Sequence, residues 1–584
     1  MYDLPKGGSF LFNQTDPMDV FTPEDFTDEH KMIYRTALGF VNDKVLTVMD
    51  DLEDKKEGLN KELLLAAGEL GLLGTDVPEE YDGYAMDKIS TCIIAECMGR
   101  AGGFAMTHGG QTGIGQLPIV YFGNHEQKLK YLPGIVSGEK GTAYALTEPG
   151  AGSDALAAKA WAVLSPDGKD YILNGTKQFI TNSAFADLFI VFAKIDREKF
   201  TGFIVDANSK GLSTGPEEHK MGIKGSSTRT LIMEDVKVSV ENVLFEIGKG
   251  HVIAFNILNM GRFKLAGNAT GNCKQAIELA AQFAVDRKQF GQSICEFGLI
   301  KEKLAEMATR TYITESMVYR TGGLLDGMMH SLNISGPDGG QLAAKGIEEY
   351  AMECSMNKVF GTEVQGYVMD EGVQIHGGYG VTSEYPIERL YRDCRVYRIF
   401  EGTNEINRTV ATSTLVRRGL NGQISLREAV AKVQAQLAAG IPFRADQAAL
   451  VQAAKDITLF TLSAALQKHD KNILQYQEIV GKLADMCMAT FGMESGWLRA
   501  QKAAARDGQE SAQLKLNMAT IFINTAIGNV FNWAKEVLAA VAKGDELTSL
   551  YADLHKLLQY IPTNTITLRR EVAAAITSAM KYVV

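Results

Sequence analysis

Apolar residues recur every three or four positions along most of this 584-residue chain, but that rhythm stops near Gly141 and returns only after Gly248. A period of three to four buries one face of an α-helix, whereas alternation buries one face of a strand. The chain is therefore expected to build helices, then a β-rich unit of roughly 100 residues, then helices to its end. Thr91 to Arg100, followed by Ala101-Gly102-Gly103, exemplifies the first helical stretch. Leu188 to Ile195, Gly202 to Val205 and Thr230 to Val238 read as strands, and Asn174-Gly175 between two strand-like runs reads as a hairpin turn.

Beyond about Leu420 a further helical unit is expected. Its first helix starts at Ser425 as N-cap, with Glu428 completing a capping box. Leu426, Val430, Val433 and Leu437 form its apolar face, and Gly440 with Pro442 ends it. The expected fold is an α+β multidomain architecture, mostly α. It has an N-terminal helical domain (1–140), a central β domain (141–247), a helical bundle (248–420) and a C-terminal helical extension (421–584).

A net charge of −11 argues against an extended nucleic-acid surface, which needs a basic face. The seven cysteines are odd in number, scattered and without a CxxC pair, so buried reduced thiols are expected rather than disulfides or zinc. No HExxH or carboxylate-rich loop calls for a metal. The first residues lack the basic and apolar runs of a signal peptide; no stretch is expected to reach the roughly 20 apolar residues of a membrane span, and the best candidate, Leu516 to Trp533, is interrupted by four asparagines and reads as a buried helix. A cytoplasmic protein is expected, at most peripheral to the inner membrane.

Chemistry concentrates in a few motifs. In Arg398-Ile399-Phe400-Glu401-Gly402-Thr403-Asn404-Glu405, a lone carboxylate stands between an aromatic residue and a Gly-Thr pair that can bend the backbone. Screening such a glutamate from water raises its pKa and makes it a better base near neutral pH. Tyr144 to Asp154 contains Gly150 and Gly152, suited to a tight loop whose N–H groups face one ligand. Lys177 to Ser183 sets Phe179 beside hydroxyl donors. Gly261, in Asn259-Met260-Gly261-Arg262-Phe263, sits mid-helix, where it costs about 1 kcal/mol and so calls for close approach of a ligand or of another helix. Asp286 to Gly291 offers Arg287 for a phosphate, or simply ends a helix.

Taken in order, Thr147 to Asp154, Phe179 to Asn182, Asp286 to Gly291, Gln374-Ile375-His376-Gly377-Gly378 and Phe400 to Thr403 resemble the acyl-CoA dehydrogenases. The likeness runs over roughly residues 30 to 420. The helical extension and the Asn259-Met260-Gly261-Arg262 motif are most similar to the very-long-chain subgroup. The resemblance implies helical, β and four-helix domains with an extra helical domain, and FAD as cofactor. It implies that Tyr144, Leu146, Thr147, Gly152 and Ser153 line the flavin, flanked by Phe179, Ile180 and Thr181. Arg287, Phe290, Gln374, Ile375, Gly377, Gly378, Thr403 and Glu405 complete the cofactor set. Arg287 and the Gln374 to Gly378 stretch would serve the neighbouring subunit's FAD, which implies a homodimer.

By the same resemblance Glu401 is the catalytic base, and Ser153, Asn259, Arg262 and Gly402 face an acyl-CoA substrate. The implied reaction is α,β-dehydrogenation, with electrons passed to an electron-transferring flavoprotein. Small residues through Gly109-Gly110-Gln111-Thr112-Gly113-Ile114-Gly115 suggest a deep apolar slot for a long acyl chain. An acyl-CoA oxidase, or an assembly scaffold with vestigial chemistry, are the alternatives.

Overall fold

The computed structural model describes residues 4–334, 336 and 338–584. Several of its N-terminal helices start on side-chain caps that satisfy otherwise orphan N–H groups. Asp28–Phe40 begins at Thr27, whose hydroxyl accepts from His30 N. Lys88–Gly99 begins at Asp87, whose carboxylate accepts from Ser90 N at 2.7 Å, and every residue of that helix is buried. It crosses the long Gly250–Asp286 helix at close range: a methyl group on Gly271 would lie 1.8 Å from Glu96 O, so only glycine fits the crossing. Asn268 and Asn272 of the long helix donate to the carbonyls of Ala95 (2.6 Å) and Gly99 (2.8 Å) and lock the pair.

Eight strands make the central sheet: β1 Thr142–Ala145, β2 Trp161–Leu164, β3 Asp170–Thr181, β4 Leu188–Ile195, β5 Lys199–Asp206, β6 Leu212–Glu217, β7 Thr228–Ser239 and β8 Val243–Leu244. Their order is β6-β7-β3-β2-β4-β5-β8, with β1 parallel to β4. One expectation fails here. Asn174-Gly175 is no hairpin turn, because β3 runs straight through it. Gly175 (φ 142°) instead lies at a register shift against β7 and lets Ala160 approach, since a methyl there would come within 2.8 Å of the Ala160 Cβ. The turn between β2 and β3 falls at Gly168 (φ 72°).

The helices Gly250–Asp286, Gly298–Ser331, Ala351–His376 and Asn404–Leu420 form the bundle, and six more, from Leu426–Ala439 to Thr565–Ala579, form the extension. The two are one body energetically, for a single hydrophobic core contains Tyr312 and Met356 of the bundle together with Phe491 and Ile527 of the extension. The N-terminal segment laces them together. Phe10 packs on Phe491 (4.9 Å between centroids), and Lys455 donates to Asn13 O at 2.8 Å. Arg499, 1% exposed, bridges Glu24 (2.8 Å) and Glu315 (2.6 Å).

The Ser425 capping box does not form: Ser425 makes no side-chain cap to the Leu426–Ala439 helix. Its ψ of 45° keeps it out of the extended conformation that turns an N-cap hydroxyl toward the helix. The apolar face is as expected, with Leu426 and Val433 buried and Val430 and Leu437 packed against the core. The Leu516 to Trp533 stretch lies within the Gln509–Val541 helix, packed by Met518, Ile521, Ile523, Ile527 and Val530. Among the described residues one segment, Gln447–Gln475, is long and apolar enough to cross a membrane, and 72% of its apolar window is buried inside the protein.

Candidate active site

Glu401 adopts φ 57° and Gly402 φ 79°, so the chain reverses sharply just before the Asn404–Leu420 helix. A glutamate is rarely found there, and the surroundings have to hold it. Asn407, fully buried one turn into that helix, donates its Nδ2 to the carbonyls of Glu401 (3.4 Å), Gly402 (2.7 Å) and Thr403 (3.0 Å). Thr403 caps the helix by accepting from Ile406 N. Lys358, buried on the Ala351–His376 helix, donates to Gly402 O (2.8 Å) and Asn404 Oδ1 (2.8 Å). Arg262 reaches Glu401 O at 3.3 Å while bonding Asn259 Oδ1 at 3.1 Å.

The backbone of Glu401 is thus bound on several sides, yet its side chain is not. Oε2 is buried and has no hydrogen-bond partner. Gly261 supplies the room: a methyl group there would lie 2.4 Å from Oε2 and 2.8 Å from Cδ. What approaches the mid-helix glycine is neither a ligand nor another helix but the protein's own carboxylate. Burial pushes that carboxyl up to about 7, against the opposing pull of Arg262 and Lys358. A carboxylate dehydrated in this way, with a free lone pair, is an avid proton acceptor near neutral pH.

β1 brings Tyr144 to the same space. Its buried hydroxyl also lacks a partner, and burial, then the Glu401 charge, pushes the phenol well above its ordinary value. Glu148 anchors the loop that follows. It pairs with the fully buried Lys177 (2.7 Å) and accepts the N–H groups of Lys159 (2.6 Å) and Ala160 (3.0 Å). Reciprocal bonds between Glu148 and Ala151 close a tight turn, beyond which Gly152 and Ser153 are exposed, and methyls on Gly150 and Gly152 would touch nothing within 4 Å. Leu146 and Thr147 are half-buried, their carbonyls accepting from Lys177 Nζ (3.2 Å) and Gln178 N (2.9 Å). At the end of β3, Phe179 (φ 59°) is turned outward and 59% exposed, Ile180 is buried and Thr181 half-buried.

The remaining candidates gather elsewhere. Arg287, Ile375, Gly377 and Gly378 line a cavity of about 440 Å³ with Phe283 and Tyr379, and Glu401 is not among its lining residues. Arg287 lies over the Tyr379 ring at 5.5 Å. Gln374 is exposed beside this cavity without lining it, and Phe290 stands at the tip of a two-strand hairpin (φ 52°), 94% exposed. Glu405 is exposed in the first turn of its helix. Lys358 and Asn407 escaped the sequence reading. A lysine inside the apolar run around Met356 and Val359 was the available signal, whereas Asn407 gives none without the turn it clamps.

The glycine run packs against β1 and the Gly250–Asp286 helix. Phe104–Gly109 passes into a π-helical turn, Gly110–Gly115. Gly110 and Gly115 are tightly packed, for methyls there would meet Asn182 Nδ2 at 2.9 Å and Thr142 Oγ1 at 2.2 Å. Gly113 is buried, yet a methyl there would touch nothing within 4 Å, so it borders an internal gap.

Known proteins share this arrangement from end to end. Models of the N-terminal, middle and C-terminal domains of acyl-CoA dehydrogenases match residues 27–139, 143–236 and 248–415, and a second C-terminal domain model matches 453–556. The chain belongs to the acyl-CoA dehydrogenase family. It is 50% identical over its whole length to a probable acyl-CoA dehydrogenase of Bacillus subtilis, covering 99% of that protein. It is 35% identical to the rat mitochondrial very long-chain specific acyl-CoA dehydrogenase, over 79% of this chain and 72% of the relative. A crystal structure of acyl-CoA dehydrogenase complexed with FAD from Bacillus anthracis superposes with a TM-score of 0.98 at 51% identity, covering 99% of this chain and all of that one.

Proposed function

We propose that this enzyme dehydrogenates a long-chain fatty acyl-CoA between its α and β carbons, with FAD as oxidant and Glu401 as base. One observation carries the reading: a buried carboxylate, unpartnered and poised near neutrality, held in a left-handed turn over a glycine that makes room for it. The residues fit FAD. The orphan Tyr144 hydroxyl, the open Gly150–Gly152 rim and the outward Phe179 ring form a cradle with polar and aromatic surfaces left unused by the protein. Tyr144, Leu146, Thr147, Gly152, Ser153, Phe179, Ile180 and Thr181 would hold the flavin end.

FAD, when bound, accepts the β-hydrogen with its electron pair. The protein's part is the proton. Glu401 removes it from the α-carbon, and burial raises the carboxylate's basicity toward that of a weak carbon acid. Arg262, with Asn259 bound to it, fixes the carbonyl of Glu401 and so the direction of the side chain. The backbone N–H of Glu401 is assigned to the thioester oxygen as negative charge develops there; losing such a donor typically costs about 3–4 kcal/mol. Ser153 and Gly402 border the substrate. The gap beside Gly113 takes the far end of the acyl chain.

Arg287, Gln374, Ile375, Gly377 and Gly378 are assigned to the FAD of a second copy, which accounts for a cavity lined by Arg287 but not by Glu401. Phe290, almost wholly exposed at its hairpin tip, then contacts that copy, and a homodimer is the working unit. The electron acceptor is an electron-transferring flavoprotein. Glu401→Gln tests the reading: it should retain FAD and bind acyl-CoA but lose nearly all dehydrogenation, and substantial turnover would refute it.

A further inference from the structure

Lys358 has no role in the chemistry set out above, yet it is the other buried charge held against the base's turn. It is wholly inaccessible to solvent, and of its three ammonium hydrogens two go to Gly402 O and Asn404 Oδ1, both at 2.8 Å. A buried ammonium that bonds only neutral acceptors is costly unless a negative charge lies near. The charged groups that face it are Glu401, Glu405 on the following helix, Glu363 one turn along its own helix and, as a like charge, Arg262 from the Gly250–Asp286 helix. Glu363 is already taken up by Arg408, at 2.8 Å, and Glu405 is exposed. Glu401 is the one that remains, its Oε2 buried and unpaired.

We propose that Lys358 is a positioning residue for the base: it pins the Gly402 carbonyl that aims the Glu401 side chain and supplies, beside Arg262, a second buried cation that helps keep that side chain ionised. The inference rests on the reading of Glu401 as base. Burial drives the Lys358 ammonium down to about 7 while Glu401 pushes it back up, and burial drives Glu401 up to about 7 while Arg262 and Lys358 pull it down. Each charge thus sustains the other. Arg262 exerts the larger pull on Glu401, through a guanidinium bonded to the Glu401 carbonyl, Asn259 and Ser355, and Lys358 adds to it.

Lys358→Gln keeps a donor for Gly402 O and removes the charge. In the FAD-loaded enzyme, assayed with an acyl-CoA and an artificial electron acceptor, the acid limb of kcat/KM should move up by about one pH unit, leaving roughly a fifth of the activity at pH 7. Lys358→Arg, which restores the charge, should leave the midpoint at or below its native position. Asn407→Ala removes the amide clamp on the same carbonyls and keeps the cation, so it should lower kcat without moving the midpoint. An unmoved midpoint in Lys358→Gln, while Glu401→Gln is dead, overturns this inference and spares the base assignment; an active Glu401→Gln overturns both. Should Lys358→Gln fail to fold, the infrared spectrum of the holoenzyme decides. There the carboxylic-acid band absent from Glu401→Gln gives the native midpoint, and in Lys358→Met, which fills the same volume without charge, that midpoint should lie about one pH unit higher; an unmoved band would overturn the inference.

Discussion

Replacing Gly261 by alanine should separate stability from catalysis. The new methyl would lie 2.4 Å from Glu401 Oε2, about 1 Å short of the 3.4 Å at which ordinary contact begins. The obstructing atom ends a flexible side chain, so the fold can yield by swinging the carboxylate aside. Folding then gains what alanine gains over glycine inside a helix, about 1 kcal/mol. Catalysis loses the alignment of base with α-carbon, and a displacement of about 1 Å is worth on the order of 100-fold in rate, or about 2.7 kcal/mol of barrier. Thermal unfolding, the FAD absorption spectrum and kcat measured on one preparation give the test. The melting temperature should hold or rise, FAD should be retained, and kcat should fall by about two orders of magnitude. Native kcat in Gly261→Ala would refute the argument that the glycine exists to seat the carboxylate.

Other consequences follow from the same geometry. Because the base must be ionised and burial holds it up at about 7, kcat/KM should rise with pH through that value and fall away below it. The raised folded pKa also means that ionising Glu401 weakens the fold above its unfolded value, so Glu401→Gln should be more stable than the native chain at pH 8, by about 3 kcal/mol or less, with little difference at pH 5; equal urea midpoints at both would contradict the burial argument. Gly113→Leu should fill the internal gap, sparing turnover of butyryl-CoA while abolishing that of palmitoyl-CoA; an unchanged chain-length profile would remove the gap from the acyl path. Arg499→Met should cost about 3–5 kcal/mol in urea unfolding at pH 7, because it strands the carboxylates of Glu24 and Glu315. Burial pushes Glu24 up, but Arg499 overrides it and holds the carboxyl down at about 2. Its contribution is present above about 4.5 and lost as pH falls toward 2, so the penalty of the variant should shrink in acid.

The alternation of helical and β periods and the apolar stripe of Leu426–Ala439 were legible because burial on one face imposes its period on the residues themselves, and the Leu188–Ile195 strand because burial on both faces leaves a continuous apolar run. The candidate base was legible only in company: most glutamates are solvated surface groups, and Glu401 drew its weight from the other motifs that precede it in order. Asn174-Gly175 misled because a turn-forming pair also serves at a bulge, and the deciding fact is Ala160, just before the neighbouring strand, pressing against it. Ser425 misled because its cap depends on a backbone angle that the packing of the extension sets.

Chain order alone could place glycine at 261 and glutamate at 401, but not the 2.4 Å that makes one necessary to the other. The same holds for Lys358, Asn407 and Arg262, which converge on one turn from three helices. Local pattern reports what each segment does with water. The basicity of Glu401 depends on which charges meet after water has gone, and that is settled only when distant segments pack.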